Sequence, residues 1–364
     1  MRIIVTGGGT GGHIYPAIAI AEKFKRENLD CEILYVGSEH GMEKDLVPKM
    51  GYKIKLVDAK GINRTNPIKL ISTVNHTNHG IAQAVKIIKD FKPDYIVGTG
   101  GYVCFPTIFS GARMGIPCYL HEQNAFPGVA NRGLERFVKK VFLGFDDARK
   151  FFKDESKIFY AGNPVRENFF KLTKEEARKN LGLSEDEIVI LSFGGSLGAE
   201  TINNTAFELM KRINGKEKYR LIFGTGVRYY DQIMGRVRSE NIEVEDNIEI
   251  KDYINDMDNY LMASDLVIER SGALSVAETT VCGKPAVLIP SPNVTANHQY
   301  YNAKAVADRG GAVLVEEKDL VVPELVEEIV SLLRNKKKLE EMGECAKKCA
   351  PMEALDIIYK GIVE

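Results

Sequence analysis

The sequence predicts an α/β protein of two Rossmann-like domains facing across a cleft. Three observations predict it. Short apolar runs of buried parallel-strand character are followed by glycine turns and then by helical patterns. The second half of the chain repeats the plan of the first. A turn signal at Gly162-Asn163-Pro164 punctuates the junction. At 364 residues the chain is long for one domain and comfortable for two. The expected domains are residues 1–163 and 164–349.

Composition excludes several classes. Net charge is −1, so no global field favours nucleic acid. The six cysteines are scattered, with no CxxC pair. Cys345 and Cys349 lie one helical turn apart without neighbouring ligands, so no zinc site is expected and reduced cytosolic thiols fit best. No apolar run approaches the ~20 residues of a membrane span. A strand follows Met1-Arg2 directly, so no signal peptide is expected and any membrane contact would be peripheral.

In the first half, Arg2 to Thr6 is a strand, and a helix is expected from about Tyr15. Gly7, Gly9 and Gly12 between them satisfy G-x-G-x-x-G, a weak dinucleotide signal alone. The acid that such a site needs after the second strand (Cys31 to Val36) would be Glu39, a poor match. Residues 66–91 read as a long helix, with Ile71, Val74, Ile81, Val85 and Ile88 on one stripe. Tyr95 to Val97 is a strand before a second glycine turn, Gly98 to Tyr102. Cys118 to Leu120 is a strand that ends on His121-Glu122-Gln123-Asn124, at the functional edge of an open α/β sheet.

The second half begins with a strand from Ile188 to Phe193 and a glycine loop, Gly194 to Ala199. Leu221 to Phe223 leads to Gly224-Thr225-Gly226, and Glu249 to Tyr253 leads to Ile254-Asn255-Asp256-Met257. The most informative stretch is Ser264 to Lys304. Leu266 to Ile268 is a strand, and Arg270-Ser271-Gly272 is a tight turn. A helix starts between Ser271 and Ser275 and is stopped by Gly283 and Pro285; Ala286 to Ile289 is the next strand. A helix N-terminus open at a strand's carboxyl end carries about half a positive charge and suits phosphate. Glu278 lies near it, where a carboxylate can accept hydrogen bonds from vicinal ribose hydroxyls or simply complement the helix dipole.

Packing alone explains any one glycine loop, but the four at Gly7, Gly98, Gly194 and Gly272 are expected to line one sheet edge and approach a diphosphate closely. His13, beside the first loop, is a structural cap residue, a donor that orients substrate, or a general base, work that an imidazole suits; Glu122 is the rival base or a group that orients its neighbours, and the sequence does not choose. Arg166 is either a surface ion-pair partner or a cation for a leaving diphosphate. Asp256-Met257-Asp258 resembles a D-x-D metal motif and is read as a solvated pair opening a helix. No metal and no cofactor are expected.

SGALSVAET, GKPAVLIP and NHQYYNAKA closely resemble the nucleotide-sugar motif of the MurG glycosyltransferases. GGTGGH-x-x-P-A, GTGGY, HEQN with Ala130-Asn131-Arg132, and GNPVR extend the resemblance along the chain. It implies the GT-B glycosyltransferase fold, with residues 350–364 packing back onto the first domain. It also implies inverting transfer of N-acetylglucosamine from UDP-N-acetylglucosamine to a lipid-linked muramyl-pentapeptide, at the cytoplasmic face of the membrane. By the same resemblance, Ser196, Ile254, Ala273, Leu274, Ser275, Val276, Ala277, Glu278 and Gln299 would hold UDP, with Ile254 meeting the uracil edge. Thr10, Gly11, Gly12, His13 and Asn124 would complete the sugar and acceptor site, and Tyr102, Asn131 and Arg166 would also bind substrate. Two departures stand out: GSLGA has Leu197 where the family carries an amide, and His298-Gln299 replaces paired glutamines.

Rivals are a UDP-N-acetylglucosamine 2-epimerase of the same fold, a nicotinamide dehydrogenase, and a non-catalytic sugar-nucleotide-binding subunit. The dehydrogenase leaves the second half unexplained, and the subunit would need neither His13 nor HEQN. The expected membrane-docking face, for anionic lipids, combines Ile68, Leu70 and Ile71 with Arg64 and Lys69. A second basic run, Arg136, Lys139 and Lys140, is broken by Phe137 and Val138.

Overall fold

The computed structural model describes residues 1–61, 67–351 and 353–364, excluding the side chains of 67–74. The chain divides into two compact units, Met1–Val165 with Glu353–Glu364, and Arg166–Met352.

The first unit is built on β1 (Arg2–Thr6), β2 (Glu32–Ser38), β3 (Ile54–Val57), β4 (Tyr95–Gly98), β5 (Cys118–Glu122), β6 (Lys140–Leu143) and β7 (Ile158–Tyr160), in the order β3-β2-β1-β4-β5-β6-β7. Every pairing is parallel. Such a sheet is covered on both faces, so its strands are apolar on both sides. Ile3 and Val5 pack on one face with Ile14, Ala17 and Phe24; Ile4 packs on the other with Ala84, Ile88 and Ile108. The C-terminal helix Ala354–Val363 closes the first of these faces, with Ile358 and Ile362 in the core. Buried Lys23 pairs with Asp356, and Tyr119 Oη donates to the Ile362 carbonyl at 3.1 Å.

The second unit holds β8 (Ile188–Phe193), β9 (Tyr219–Gly224), β10 (Ile248–Lys251), β11 (Leu266–Glu269), β12 (Ala286–Leu288) and β13 (Ala312–Leu314), in the order β10-β9-β8-β11-β12-β13, again parallel. Its core joins Ile190, Leu221 and Ile268 to Phe207 and Met210 of the helix Glu200–Ile213 and to Ile329 and Leu333 of the helix Val322–Leu333.

The strand order corrects one expectation. The four glycine loops do not share an edge; two follow β1 and β4, and two follow β8 and β11. These strands flank the point in each sheet where the strand order reverses, and in open α/β sheets the crevice at that point binds ligands.

Several elements differ from the sequence reading. The first helix runs Gly11–Glu27 rather than from about Tyr15, because glycine's poor helix propensity hides a start made of two glycines. β2 extends to Ser38 and β5 to Glu122, so His121 and Glu122 are strand residues. β3, β6, β7 and β13 carry three or four residues each, too short for a period to show. The long helix Pro67–Phe91 buries Gly80, Ala84 and Ile88, while Ile81 and Val85 are half-buried.

Candidate functional site

In the first unit, β1 runs into the glycine turn and then into a helix that has no capping side chain and no acid in its first turn. Such an end favours an anion. The turn needs glycine for space. A Cβ on Gly7 would lie 2.1 Å from Thr99 Oγ1, and one on Gly8 would lie 2.2 Å from Glu43 Oε1. Glu43 is fully buried and accepts from the backbone N–H of Gly9 at 3.1 Å and of Ser38 at 2.8 Å. It ties the turn to the end of β2, where the sequence offers Glu39 as the acid. Nothing in the spacing of Glu43 marks it, because its partners come from two separate segments. Tyr102 lies over the turn, its ring 3.1 Å from where a Gly9 Cβ would sit. Thr10 and Gly12 are exposed and Gly11 is half-buried.

His13, on the first turn of the helix, is fixed by a chain of hydrogen bonds. His121 is fully buried and donates from Nε2 to the Gly162 carbonyl at 2.9 Å. Burial pushes its pKa down to about 4, so it is neutral and its Nδ1 accepts. Gln123 Nε2 donates to that Nδ1 at 2.9 Å, which turns Gln123 Oε1 outward as an acceptor. His13 Nδ1 contacts this Oε1 at 3.1 Å and the Thr99 carbonyl at 3.0 Å. Both partners are acceptors, so Nδ1 carries the proton and Nε2 keeps the lone pair. A Cβ on Gly100, whose φ is +108°, would lie 2.8 Å from His13 Nδ1.

Glu122 is 1% exposed and already engaged. Oε1 accepts from Asn124 N at 3.0 Å and Asn124 Nδ2 at 3.3 Å; Oε2 accepts from Gly128 N at 3.0 Å and Asn131 Nδ2 at 2.9 Å. Four N–H groups on one carboxylate hold the segment that follows β5 in place. Asn131 is buried, and its Oδ1 has no partner among the described residues.

In the second unit the loop after β8 is shaped by backbone approach. A Cβ on Gly198, φ +80°, would meet the Thr225 carbonyl at 2.1 Å, and one on Gly226 would meet Gly198 N at 2.1 Å. Ser196 is left exposed, and Leu197 is 50% exposed. Ile254 is buried, with its side chain packed where a Gly224 Cβ would be.

The helix after β11 is Ala273–Val281, with Gly272 at its cap; it too lacks a capping side chain and a first-turn acid. Ala273, Leu274 and Ser275 are half-buried. Val276 and Ala277 are buried, so their side chains belong to the core. Glu278 stands on the second turn rather than the first. Its side chain keeps 22% exposure, and Arg166 Nε lies 3.8 Å from Oε1. Burial raises its pKa to about 7, against the pull of Arg166 and with some help from Asp258. Glu269, at the end of β11, is fully buried; Thr279 Oγ1 donates to Oε1 at 2.8 Å, Oε2 has no partner among the described residues, and burial raises the pKa to about 8. Two residues on, Ser271 Oγ is also buried without a partner among the described residues. Gln299 Oε1 accepts from Ser291 N at 2.8 Å, and His298 Nδ1 bonds the Thr295 carbonyl at 2.7 Å. Asp256 is exposed but Asp258 is buried, so a solvated acid pair describes Asp256 only.

Residues 3–143 match the glycosyltransferase family 28 N-terminal domain, and residues 189–357 its C-terminal domain. Over 99% of this chain and 97% of its own length, a protein of Acetivibrio thermocellus is 46% identical. It is named UDP-N-acetylglucosamine–N-acetylmuramyl-(pentapeptide) pyrophosphoryl-undecaprenol N-acetylglucosamine transferase. A Clostridioides difficile protein of the same name is 41% identical over 100% of this chain and 89% of its own. Among solved structures, Acinetobacter baumannii MurG is 26% identical with TM-score 0.80, covering 99% of both chains. A putative UDP-N-acetylglucosamine 2-epimerase of Listeria monocytogenes, at 17% identity and TM-score 0.70, covers 99% of this chain and 95% of its own and shares the fold.

Proposed function

We infer that this chain, which belongs to glycosyltransferase family 28 and within it to the MurG transferases, moves N-acetylglucosamine from UDP-N-acetylglucosamine to undecaprenyl-diphospho-N-acetylmuramyl-pentapeptide, the lipid I to lipid II step of peptidoglycan synthesis. One observation carries the chemistry: the hydrogen-bond chain through His121 and Gln123 orients His13 and leaves its Nε2 basic.

In this reading His13 Nε2 takes the proton of the acceptor hydroxyl as that oxygen bonds the anomeric carbon. The bond from that carbon to the UDP oxygen breaks, UDP leaves with the electron pair, and attack from the opposite face inverts the centre. Glu122 is the weaker candidate for base, since its carboxylate already holds Asn124, Gly128 and Asn131. Tyr102, Asn124 and Asn131 then shape the acceptor and sugar site beside the first glycine turn.

Charge that builds on the diphosphate meets the N-terminus of the helix Ala273–Val281 and Arg166. We therefore assign no catalytic ion to Asp256 and Asp258. Glu278 accepts the ribose hydroxyls, and Ser196, Ile254 and Gln299 complete the uridine-diphosphate seat. Val276 and Ala277 support it from the core.

The test is incubation with UDP-N-acetylglucosamine and the lipid acceptor. A disaccharide lipid should form with release of UDP. Isomerisation of the donor sugar without acceptor would instead make the chain an epimerase.

We also propose that the first domain docks on anionic bilayers at the cytoplasmic face. Among the described residues no helix is long and apolar enough to cross a membrane. Arg64 and the side chains of Ile68, Lys69, Leu70 and Ile71 lie outside the described residues. In the second basic run Arg136 and Lys139 are exposed, whereas Val138 is core and Phe137 packs on Phe109 with centroids 5.2 Å apart. Changing Arg64, Lys69, Arg136 and Lys139 to Glu should sharply cut co-sedimentation with anionic vesicles, at about 1 kcal/mol per lost cation. Binding that persists undiminished would move the docking face elsewhere.

A further inference from the structure

Outside this machinery, three of the chain's six histidines converge on one carboxylate. Asp58 directly follows β3, His40 lies just past β2, and His76 and His79 sit on the helix Pro67–Phe91. His76 Nδ1 lies 2.8 and 2.7 Å from the two Asp58 oxygens. His40 Nε2 lies 3.2 Å from Oδ1, and His79 Nδ1 lies 3.3 Å from Oδ2. The ligating atoms of His40, Asp58 and His76 are all within 4.8 Å of one another.

We propose that His40, Asp58 and His76, with His79 as a fourth ligand, form a binding site for one zinc-class divalent metal ion. Imidazole nitrogen and carboxylate oxygen are the donors that zinc takes, in tetrahedral sets at about 2.0–2.2 Å. A tetrahedral set with bonds of that length keeps its ligand atoms about 3.3–3.4 Å apart, so His76 Nδ1 must give up its hydrogen bond and back off from Asp58 while the more distant imidazole nitrogens close in. The framework allows this movement at one end and resists it at the other. Asp58 is 13% exposed and its backbone N–H donates to Gln83 Oε1 at 2.6 Å, while His40 and His79 are 41% and 64% exposed and free to swing. A Cβ on Gly80 would lie 2.4 Å from the Asp58 carbonyl, so the helix is pressed against the strand end beside the site. His76, one turn before Gly80, continues the ridge formed by Gly80, Ala84 and Ile88.

Lys60 opposes the ion. Its Nζ lies 3.0 Å from His76 Nε2, where it donates and leaves the imidazole proton on Nδ1, facing Asp58. A metal on Nδ1 shifts that proton to Nε2 and displaces the ammonium. The ion would then close the loop between Asp58 and His76, 18 residues apart in sequence, and stabilise the folded state by the free energy of its binding. Its role is a clip between the helix and the sheet edge, with no part in the transfer step.

The test uses the full chain without a histidine tag, stripped with chelator. Zinc should bind at one equivalent per chain and raise Tm, and Co2+ should give the visible d–d bands of a tetrahedral site. His76→Gln and Asp58→Asn should abolish binding. His40→Gln, at an exposed position, should keep the fold in chelator and weaken zinc at least about tenfold. Lys60→Gln should bind zinc more tightly than the parent. A parent chain that binds no zinc, or a His40→Gln variant and a Lys60→Gln variant that both bind like the parent, would overturn the proposal.

Discussion

In the first domain, the buried carboxylates beside the glycine turn and β5 are saturated. Glu43 accepts from Gly9 and Ser38, and Glu122 accepts from four N–H groups. In the second domain, Glu269 has a single hydroxyl partner and Glu278 a loose ion pair, and burial drives them to about 8 and about 7. The same residue type at the same edge of a parallel sheet thus serves two ends. Saturated carboxylates fix in advance the backbone of the first glycine turn and of the segment that follows β5. Carboxylates short of donors are costly until something supplies hydrogen bonds, as a ligand's hydroxyls would.

Five substitutions can break or sharpen this contrast. The largest effect is expected at the prepared end: His13→Ala should lower kcat by about 10²–10⁴-fold, the usual worth of a general base. Gln123→Leu should cost only about tenfold, one neutral hydrogen bond, because the Thr99 carbonyl still holds Nδ1. Equal losses from both variants would mean that orientation is the whole contribution.

Glu122→Ala strands several donors, so it should destabilise the first domain by at least about 3 kcal/mol in urea unfolding. A loss of rate with unchanged stability would restore Glu122 as base.

Glu269 gives a pH-dependent test. Its folded pKa, about 8, lies above the ordinary 4.5, so the folded state binds the extra proton. Its contribution to stability is fully present below about pH 4.5, is lost as pH rises towards 8, and is constant above that. Glu269→Gln should remove this slope and gain roughly 3–4 kcal/mol on the parent between pH 5 and 8, at about 1.4 kcal/mol per pKa unit. Parallel stability curves would show that the carboxyl is better solvated than its burial implies.

A smaller effect is expected at the ligand. Glu278→Ala should weaken UDP by about 1.5–3 kcal/mol and erase the preference for UDP over its deoxyribose analogue. Calorimetric titrations that leave both affinities unchanged would release Glu278 from the ribose.

Much of this was legible in one dimension. The glycine turns and the HEQN segment are local: each compresses strand end, turn and helix start into a dozen or so residues, the run Ser264 to Lys304 strings such units together, and close backbone approach demands glycine wherever it occurs. Three or four residues carry no period, so β3, β6, β7 and β13 stayed hidden, while the equally short β4 and β11 showed through the glycine turns that follow them. The helix start at Gly11 was hidden by its own glycines.

The sequence by itself determined the fold class, the two-domain plan, the family and the chemical types gathered at each strand end. Only the tertiary structure decided what those residues face. It gave Glu43 to the glycine turn, the tautomer of His13 to Gln123 and His121, and saturation to Glu122. It left Glu269 short of donors and brought His40, His76 and His79 to Asp58. The reason is physical: turns and strands are set by neighbours in sequence, whereas protonation and hydrogen-bond satisfaction depend on how the chain folds back, over 2 to 10 residues at Glu122 and Glu269 and over 18 to 110 residues where Glu43 meets Gly9, His13 meets Gln123 and the histidines meet Asp58.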